Sequence, residues 1–236
     1  MLEGVTDLKD PRSPESRKFC VNGVVFDLDG VIVDSHPLHR IAWRNFLRTV
    51  GKDVDEAALD FVLDGRTRKE ILLHFLGPLT DKQLDHYGRL KDELLRTLAD
   101  EMRTIPGVVE FLDHLSNAGI RMALATSASR RRACGTLNEI GIAHHFKTIV
   151  TGDDVASGKP DPAIYLLAAR RLQLAPESLL AIEDAVSGVR SATAAGLKCV
   201  GVGSAIHAEL LRAAGADPVV PDFRALSVSQ LEAGFQ

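Results

Sequence analysis

Cysteine is scarce in this 236-residue sequence, and its three residues, Cys20, Cys134 and Cys199, stand far apart with no CxxC spacing. An odd, scattered set argues against a disulfide framework and structural zinc, and for a reducing compartment. Long hydrophobic runs are missing too: no apolar stretch reaches the length needed to cross a bilayer. The start, MLEGVTDLKDPRSPESRK, lacks the basic residues and apolar core of a secretory signal. Residues 1–18 read instead as a polar N-terminal extension, and a cytoplasmic protein without a membrane partner is expected. Charge of one sign is also lacking, since 28 Lys plus Arg against 32 Asp plus Glu leave a net charge of -4. With no sustained basic block, nucleic acid is not an expected partner. Repeats and low-complexity tracts are absent as well.

What remains is an ordinary globular composition, 45% apolar and 25% charged. The length suits one domain with an insertion or two modest domains. The most informative stretch is FCVNGVVFDLDGVIVDS, residues 19–35. Val21, Val24, Val25 and Phe26 form a short β-rich run that ends in Asp27-Leu28-Asp29-Gly30. An extended chain puts Asp27 and Asp29 on one face at the strand exit, and Gly30 lets the chain turn away. Two like charges this close call for a metal, a shared proton, or both.

From Ser35 the periodicity changes to that of helices. An amphipathic helix opens at Ser35 with Pro37 in its first turn, and further helical patterns cover 54–63, 67–76 and 80–100. No strand is expected between 35 and 104, so this is an all-helical unit. Ile105-Pro106-Gly107 ends it. Strands at 120–125, 146–150, 178–182, 198–202 and 217–220 then alternate with helices at 108–115, 130–140, 161–172, 185–195 and 206–214. The expected fold is α/β: a Rossmann-like, doubly wound parallel sheet over 19–34 and 105–236, with the helical cap of 35–104 inserted after the first strand. The two joins, 33–36 and 104–107, would form a hinge.

In such a sheet the ligand sits beyond the carboxyl ends of the strands. Four polar clusters occupy that position: Asp27/Asp29, Thr126/Ser127, Lys159, and Glu183/Asp184. Alone, each has a plainer reading as a turn, a helix cap, a loop lysine or an acidic first turn. Together they suit phosphoryl transfer. Asp27 attacks phosphorus. Asp27, the Asp29 carbonyl and Asp184 offer oxygen ligands for Mg²⁺, with Glu183 behind them on bound waters. Lys159 and Thr126 hold the phosphate, and Asp29 moves the proton. Asp153 and Asp154 read as turn residues.

These motifs, DLDGVIVDS, LATS, SGKPDPAIY and IEDAVSGVRSATAAG, resemble those of the haloacid dehalogenase superfamily over about residues 20–222. The resemblance is to the branch of small phosphatases and β-phosphoglucomutase-like proteins with a helical cap. It implies a Mg²⁺-dependent aspartyl-phosphate mechanism with Asp27 as nucleophile and Asp29 as acid/base. The Asp27/Asp29 pair departs from the true dehalogenases, which lack the second aspartate, and so disfavours dehalogenation. In the cap, His39 resembles a histidine that supports the acid/base aspartate, Gly65-Arg-Thr-Arg68 a substrate-specificity loop, and Lys91 a cap lysine of the same group; Trp43 reads as cap core. The segment after Ser127 lacks the asparagine that the mutase uses, with Arg130 or Arg131 as possible replacements. A phosphatase of small phosphorylated sugars or related metabolites is favoured over a mutase. A non-catalytic phosphometabolite-binding protein is the reading from another class. The substrate and the oligomeric state stay open, with a monomer favoured.

Overall fold

A computed structural model of the chain describes residues 21–227; the extension 1–18 and Cys20 lie outside the described residues. The chain runs through β1 (Gly23–Phe26), β2 (Val33–Asp34), α1 (His36–Thr49), α2 (Arg68–Leu76), α3 (Asp81–Arg96), β3 (Arg103–Thr104) and α4 (Val108–Asn117). It continues through β4 (Arg121–Thr126), α5 (Arg130–Ile140), β5 (Phe146–Thr151), α6 (Ala163–Leu172), β6 (Leu179–Glu183), α7 (Val186–Ala194), β7 (Lys198–Val202), α8 (Ala205–Ala214) and β8 (Val219–Val220).

Six strands form one sheet in the order β5-β4-β1-β6-β7-β8, every pair parallel. Both faces are covered, which is why these strands read as near-continuous apolar runs. Val24, Phe26, Leu124 and Ile182 pack with Phe111, Leu112 and Leu137 on one side. Val25, Ala123, Ala181 and Cys199 pack with Ile164, Tyr165, Ala168 and Val189 on the other. The chain leaves β1 for β4 and β5 on one flank and returns to β6 on the other, so the carboxyl end of β1 lies at the switch point where such sheets bind ligands. Val25 and Ala181 are register partners. Two residues on, the same alternation brings Asp27 and Glu183 side by side on the α6 face.

The inserted helical cap has its own core, in which Trp43 packs with Phe46, Leu47, Leu59, Val62, Ile71 and Leu72. Trp43 is therefore cap core, as its helical phase implies. Capping boxes open two of its helices, Thr67 with Glu70 on α2 and Thr80 with Gln83 on α3. Three expectations need correction. The 54–63 segment is helical only from Ala58 to Leu63, as a 3₁₀ helix; its buried Leu59 and Val62 are three apart, the spacing that such a helix stacks on one face. The 80–100 helix stops at Arg96, where the Thr97 hydroxyl bonds back to the Leu94 carbonyl at 2.7 Å, and a separate 3₁₀ turn covers Ala99–Glu101. A strand does occur before 105: β3 pairs antiparallel with β2, Val33 opposite Thr104 and Asp34 opposite Arg103. The two joins of the cap are thus tied into one short ribbon. Among the described residues no helix is long and apolar enough to cross a membrane.

Candidate active site

The carboxyl end of β1 delivers Asp27, which is 8% exposed, into a set of buried charges. The Lys159 ammonium donates to Asp27 Oδ1 at 2.9 Å, to Glu183 Oε1 at 2.5 Å and to the Ala125 carbonyl at 3.1 Å. Tyr165, from α6, donates its hydroxyl to the same Glu183 oxygen at 2.6 Å. Burial raises the Asp27 carboxyl to about 7, with Glu183 and Asp29 adding to the rise and Lys159 opposing it. Asp184 is pushed well above the usual carboxylate range by burial and then by Glu183 and Asp27. Against the pull of burial, Asp27 and Glu183 hold the Lys159 ammonium above the ordinary lysine value. Carboxylates destabilised in this way gain most from a cation. Asp27, Glu183 and Asp184 each offer a ligand atom, and these atoms lie within 4.8 Å of one another.

Past Asp27 the chain turns at Gly30, whose φ of +74° suits glycine, and the Gly30 N–H bonds the Val33 carbonyl at 2.7 Å. This loop presents Asp29 to three donors. Ser35 Oγ donates to Asp29 Oδ1 at 2.6 Å, His39 Nε2 lies 3.2 Å from it, and Arg132 NH1 reaches it at 2.9 Å. Arg132 NH2 bonds the second oxygen, so the pair is bidentate. Burial alone would raise Asp29, yet Arg132 and His39 bring it well below the usual range. Lys91 Nζ sits 3.0 Å from His39 Nδ1 and 5.2 Å from the centre of the Trp43 ring. An ammonium has no acceptor, so Nδ1 accepts and Nε2 carries the proton toward Asp29. Burial and then Lys91 push His39 down to about 3; burial and then Arg132 push Lys91 down to about 7.

The cap closes over these groups with its 64–68 loop. Ser127 Oγ donates to the Gly65 carbonyl at 2.5 Å and Ser187 Oγ to the Asp64 carbonyl at 2.6 Å. Gly65 has φ +63°, and a Cβ there would stand 2.5 Å from Ser187 Oγ. Arg68 is paired with Asp92 at 2.7 Å, and Ser129 Oγ donates to the same carboxylate at 3.0 Å. The cleft beneath the cap, about 60 Å³, is lined by Asp27, Asp29, Arg66, Arg68, Thr126 and Arg132 among others. Thr126 is 1% exposed, and its hydroxyl accepts from the Ala128 N–H at 3.1 Å.

Of the residues singled out in the sequence, Asp27, Asp29, His39, Gly65, Arg68, Lys91, Thr126, Ser127, Lys159, Glu183 and Asp184 converge here. Arg130 does not. It is exposed and bonded to Asp154 at 2.8 Å and to the Ile149 carbonyl at 3.1 Å, outside the cleft. Arg131 is exposed too, and the arginine that enters the cleft is Arg132. It precedes the buried Thr136 by four residues, a helical phase legible in the sequence. Asp154 closes the turn after β5 by accepting from the Thr151 N–H and hydroxyl, both at 2.8 Å. Asp92, Tyr165 and Ser187 were also missed, because each matters through a partner distant in sequence; Arg66, inside the Gly65–Arg68 loop, was given no role of its own.

The family model for haloacid dehalogenase-like hydrolases matches residues 24–202. A phosphorylated carbohydrates phosphatase from Thermotoga maritima is 34% identical over 180 residues, covering 75% of this chain and 83% of that protein. A β-phosphoglucomutase from Bacillus subtilis is 34% identical over 192 residues, covering 78% and 84%. Among solved structures, CbbY from Rhodobacter sphaeroides in complex with phosphate superposes with a TM-score of 0.79 at 30% identity, covering 89% of this chain and 99% of that one. Since the matched span takes in the sheet from β1 to β7, the inserted cap and all four polar clusters, this chain belongs to the haloacid dehalogenase-like hydrolase family.

Proposed function

We propose that this protein is a Mg²⁺-dependent phosphatase of small phosphorylated sugars or related metabolites, acting through an aspartyl-phosphate on Asp27. The observation that carries the reading is the placement of Asp27, 2.9 Å from the Lys159 ammonium and beside the carboxylates of Glu183 and Asp184, at the carboxyl end of β1. An all-oxygen donor set fits Mg²⁺ better than a softer metal. Asp27, the Asp29 carbonyl and Asp184 would hold the ion. Glu183 acts from behind them, because Lys159, Tyr165 and the N–H groups of Asp184 and Ala185 engage its oxygens. When bound, the ion supplies charge neutralisation for the incoming phosphate.

The chain's own groups divide the remaining work. A carboxylate oxygen of Asp27 attacks phosphorus and the ester P–O bond breaks; the leaving alkoxide takes a proton from Asp29, which Arg132 holds ionised in the closed state and which must therefore leave that pair and be protonated before it can act. Asp29 then takes a proton from a water that attacks the phospho-aspartate, releasing inorganic phosphate and restoring Asp27. His39 orients Asp29, and Lys159 and Thr126 steady the phosphate oxygens. The closed cap keeps bulk water from the first step. The phosphatases among the relatives, including a hexitol phosphatase and a fructose-1-phosphate phosphatase from Escherichia coli, support this reading. A phosphomutase is the second reading, favoured by the β-phosphoglucomutase relative and by Arg68 at the cleft. The reading includes a cytoplasmic location and favours a monomer over an oligomer.

A phosphate-release screen over sugar phosphates, phosphoglycolate and nucleoside monophosphates tests it, with Mg²⁺ and with chelator. Release that needs Mg²⁺ and disappears in Asp27→Asn is expected; undiminished turnover by that variant overturns the assignment of the nucleophile. Primed with a bisphosphate, β-glucose 1-phosphate should yield glucose and phosphate. Accumulation of glucose 6-phosphate would make the enzyme a mutase.

A further inference from the structure

We propose that Arg66 is a specificity-determining residue that recognises a second anionic group, a carboxylate or a phosphate, on the leaving portion of the substrate. The proposal rests on the phosphatase reading above and narrows its substrate class. Among the described residues, Arg66 Nε is the one buried side-chain nitrogen or oxygen without a hydrogen-bond partner. A buried donor left so is costly, and an acceptor carried into the cleft by the ligand would remove that cost.

The other cations of the cleft are matched. Lys159 faces Asp27 and Glu183, Arg132 faces Asp29, and Arg68 faces Asp92. Lys91 leans on His39 and Trp43. Arg66 reaches only Asp64, at 3.5 Å through NH2, and rests over the Phe61 ring at 5.1 Å. Among the arginines of the cleft, Arg66 thus has the longest ion pair, and its Nε has no acceptor at all.

Its position is fixed from both sides. Ser187 and Ser127 anchor the carbonyls of Asp64 and Gly65 just before it, and Thr67 just after it caps α2 together with Glu70. Gly65 packs so close to Lys159 that a Cβ would stand 3.5 Å from its Cδ. Arg66 thus emerges one residue from the phosphoryl end of a tight cleft, which suits a compact ester. A sugar hydroxyl would satisfy the free N–H but leave the charge with only the Asp64 carboxylate at 3.5 Å. A carboxylate or a phosphate does both.

The experiment compares matched pairs that differ only in this group: glycerol 3-phosphate with 3-phosphoglycerate, and glucose 6-phosphate with 6-phosphogluconate. The wild-type protein should favour the acid of at least one pair. In Arg66→Gln that kcat/KM ratio should fall about tenfold or more, mainly through KM, with Arg66→Lys retaining part of it. Wild-type indifference to the acid in both pairs, or an unchanged ratio in Arg66→Gln, overturns the proposal. Calorimetric binding of the same compounds to Asp27→Asn reads the preference without turnover. If no compound releases phosphate, the phosphatase reading fails while the binding ratio still decides the role of Arg66.

Discussion

Asp29 and Arg132, 103 residues apart in the chain, meet as a bidentate ion pair, one arm of which spans 2.9 Å. The Arg132 side chain is 11% exposed, so removing it strands a partly buried carboxylate between Ser35 and His39. Arg132→Ala should lose about 3 kcal/mol of stability at neutral pH. The pair holds Asp29 below its usual value, so the wild-type advantage is complete at neutral pH. It should narrow as pH falls and the variant's Asp29 takes up a proton before the wild type's does. Urea unfolding at several pH values checks this, and a difference that grows on acidification would contradict it.

Lys91 carries the opposite sign. It is 3% exposed, and burial lowers it to about 7, with Arg132 and Arg68 adding to the effect and Asp92 and Asp29 opposing it. Below that value both folded and unfolded chains hold the proton, and the burial cost is paid in full. Between about 7 and the ordinary lysine value the unfolded chain binds more protons, so stability rises with pH. Lys91→Met should therefore melt several degrees higher than wild type near pH 6, and the gap should close toward pH 10. A gap independent of pH would show that packing against Trp43, and not charge, sets the difference.

Two serines of the α/β core grip successive carbonyls of one cap loop, Ser187 on Asp64 and Ser127 on Gly65. Each neutral hydrogen bond contributes about 1 kcal/mol, so losing one should shift the open-closed balance about fivefold. Ser187→Ala should raise KM and expand the molecule measurably in small-angle X-ray scattering, while its melting temperature moves little. Gly65→Ala should be more damaging, since it strains a φ of +63° and drives a Cβ against Ser187 Oγ. Adding Ser187→Ala to it should relieve the contact but leave the backbone strain. Full recovery in the double variant would show that contact alone was at fault.

Much of this site is legible in the sequence because strand ends are. The run before Asp27, the LATS segment and the apolar stretch before Glu183 each announce a buried parallel strand, and the sheet places their ends together. Local signals also mark the cap, through its helical phase and the Thr-x-x-Glu and Thr-x-x-Gln boxes. What is not legible is pairing across the closed interface. Nothing near Arg132 in sequence announces Asp29, and nothing near Ser187 announces Asp64. Arg130 was the natural candidate because it stands closest to the strand end, yet helical geometry turns it outward and brings Arg132 in. The 3₁₀ segment at Ala58–Leu63 and the β2–β3 ribbon escaped for a related reason. Each is too short to leave a periodicity of its own.

Tyr165 shows how far such a partner reaches. It is fully buried in α6, the helix that follows the Lys159 loop, and its hydroxyl donates to Glu183 Oε1 at 2.6 Å, an oxygen that also accepts from Lys159 at 2.5 Å. These two donors fix the Glu183 carboxylate on one side, while its other oxygen faces the N–H of Asp184 at 3.2 Å. Tyr165→Phe keeps the ring that packs on Val25 and Ala168 and removes only the donor. The loss of that bond should cost about 1–2 kcal/mol of stability. Glu183 and Asp184 both belong to the acidic cluster, so a looser Glu183 should also weaken Mg²⁺ binding about tenfold. Calorimetric titration of Mg²⁺ into the two proteins separates the alternatives. If Tyr165 only fills the space between α6 and the sheet, phenylalanine fills it equally well and the affinity does not change. If it holds Glu183 in place, affinity falls although the ring stays where it was.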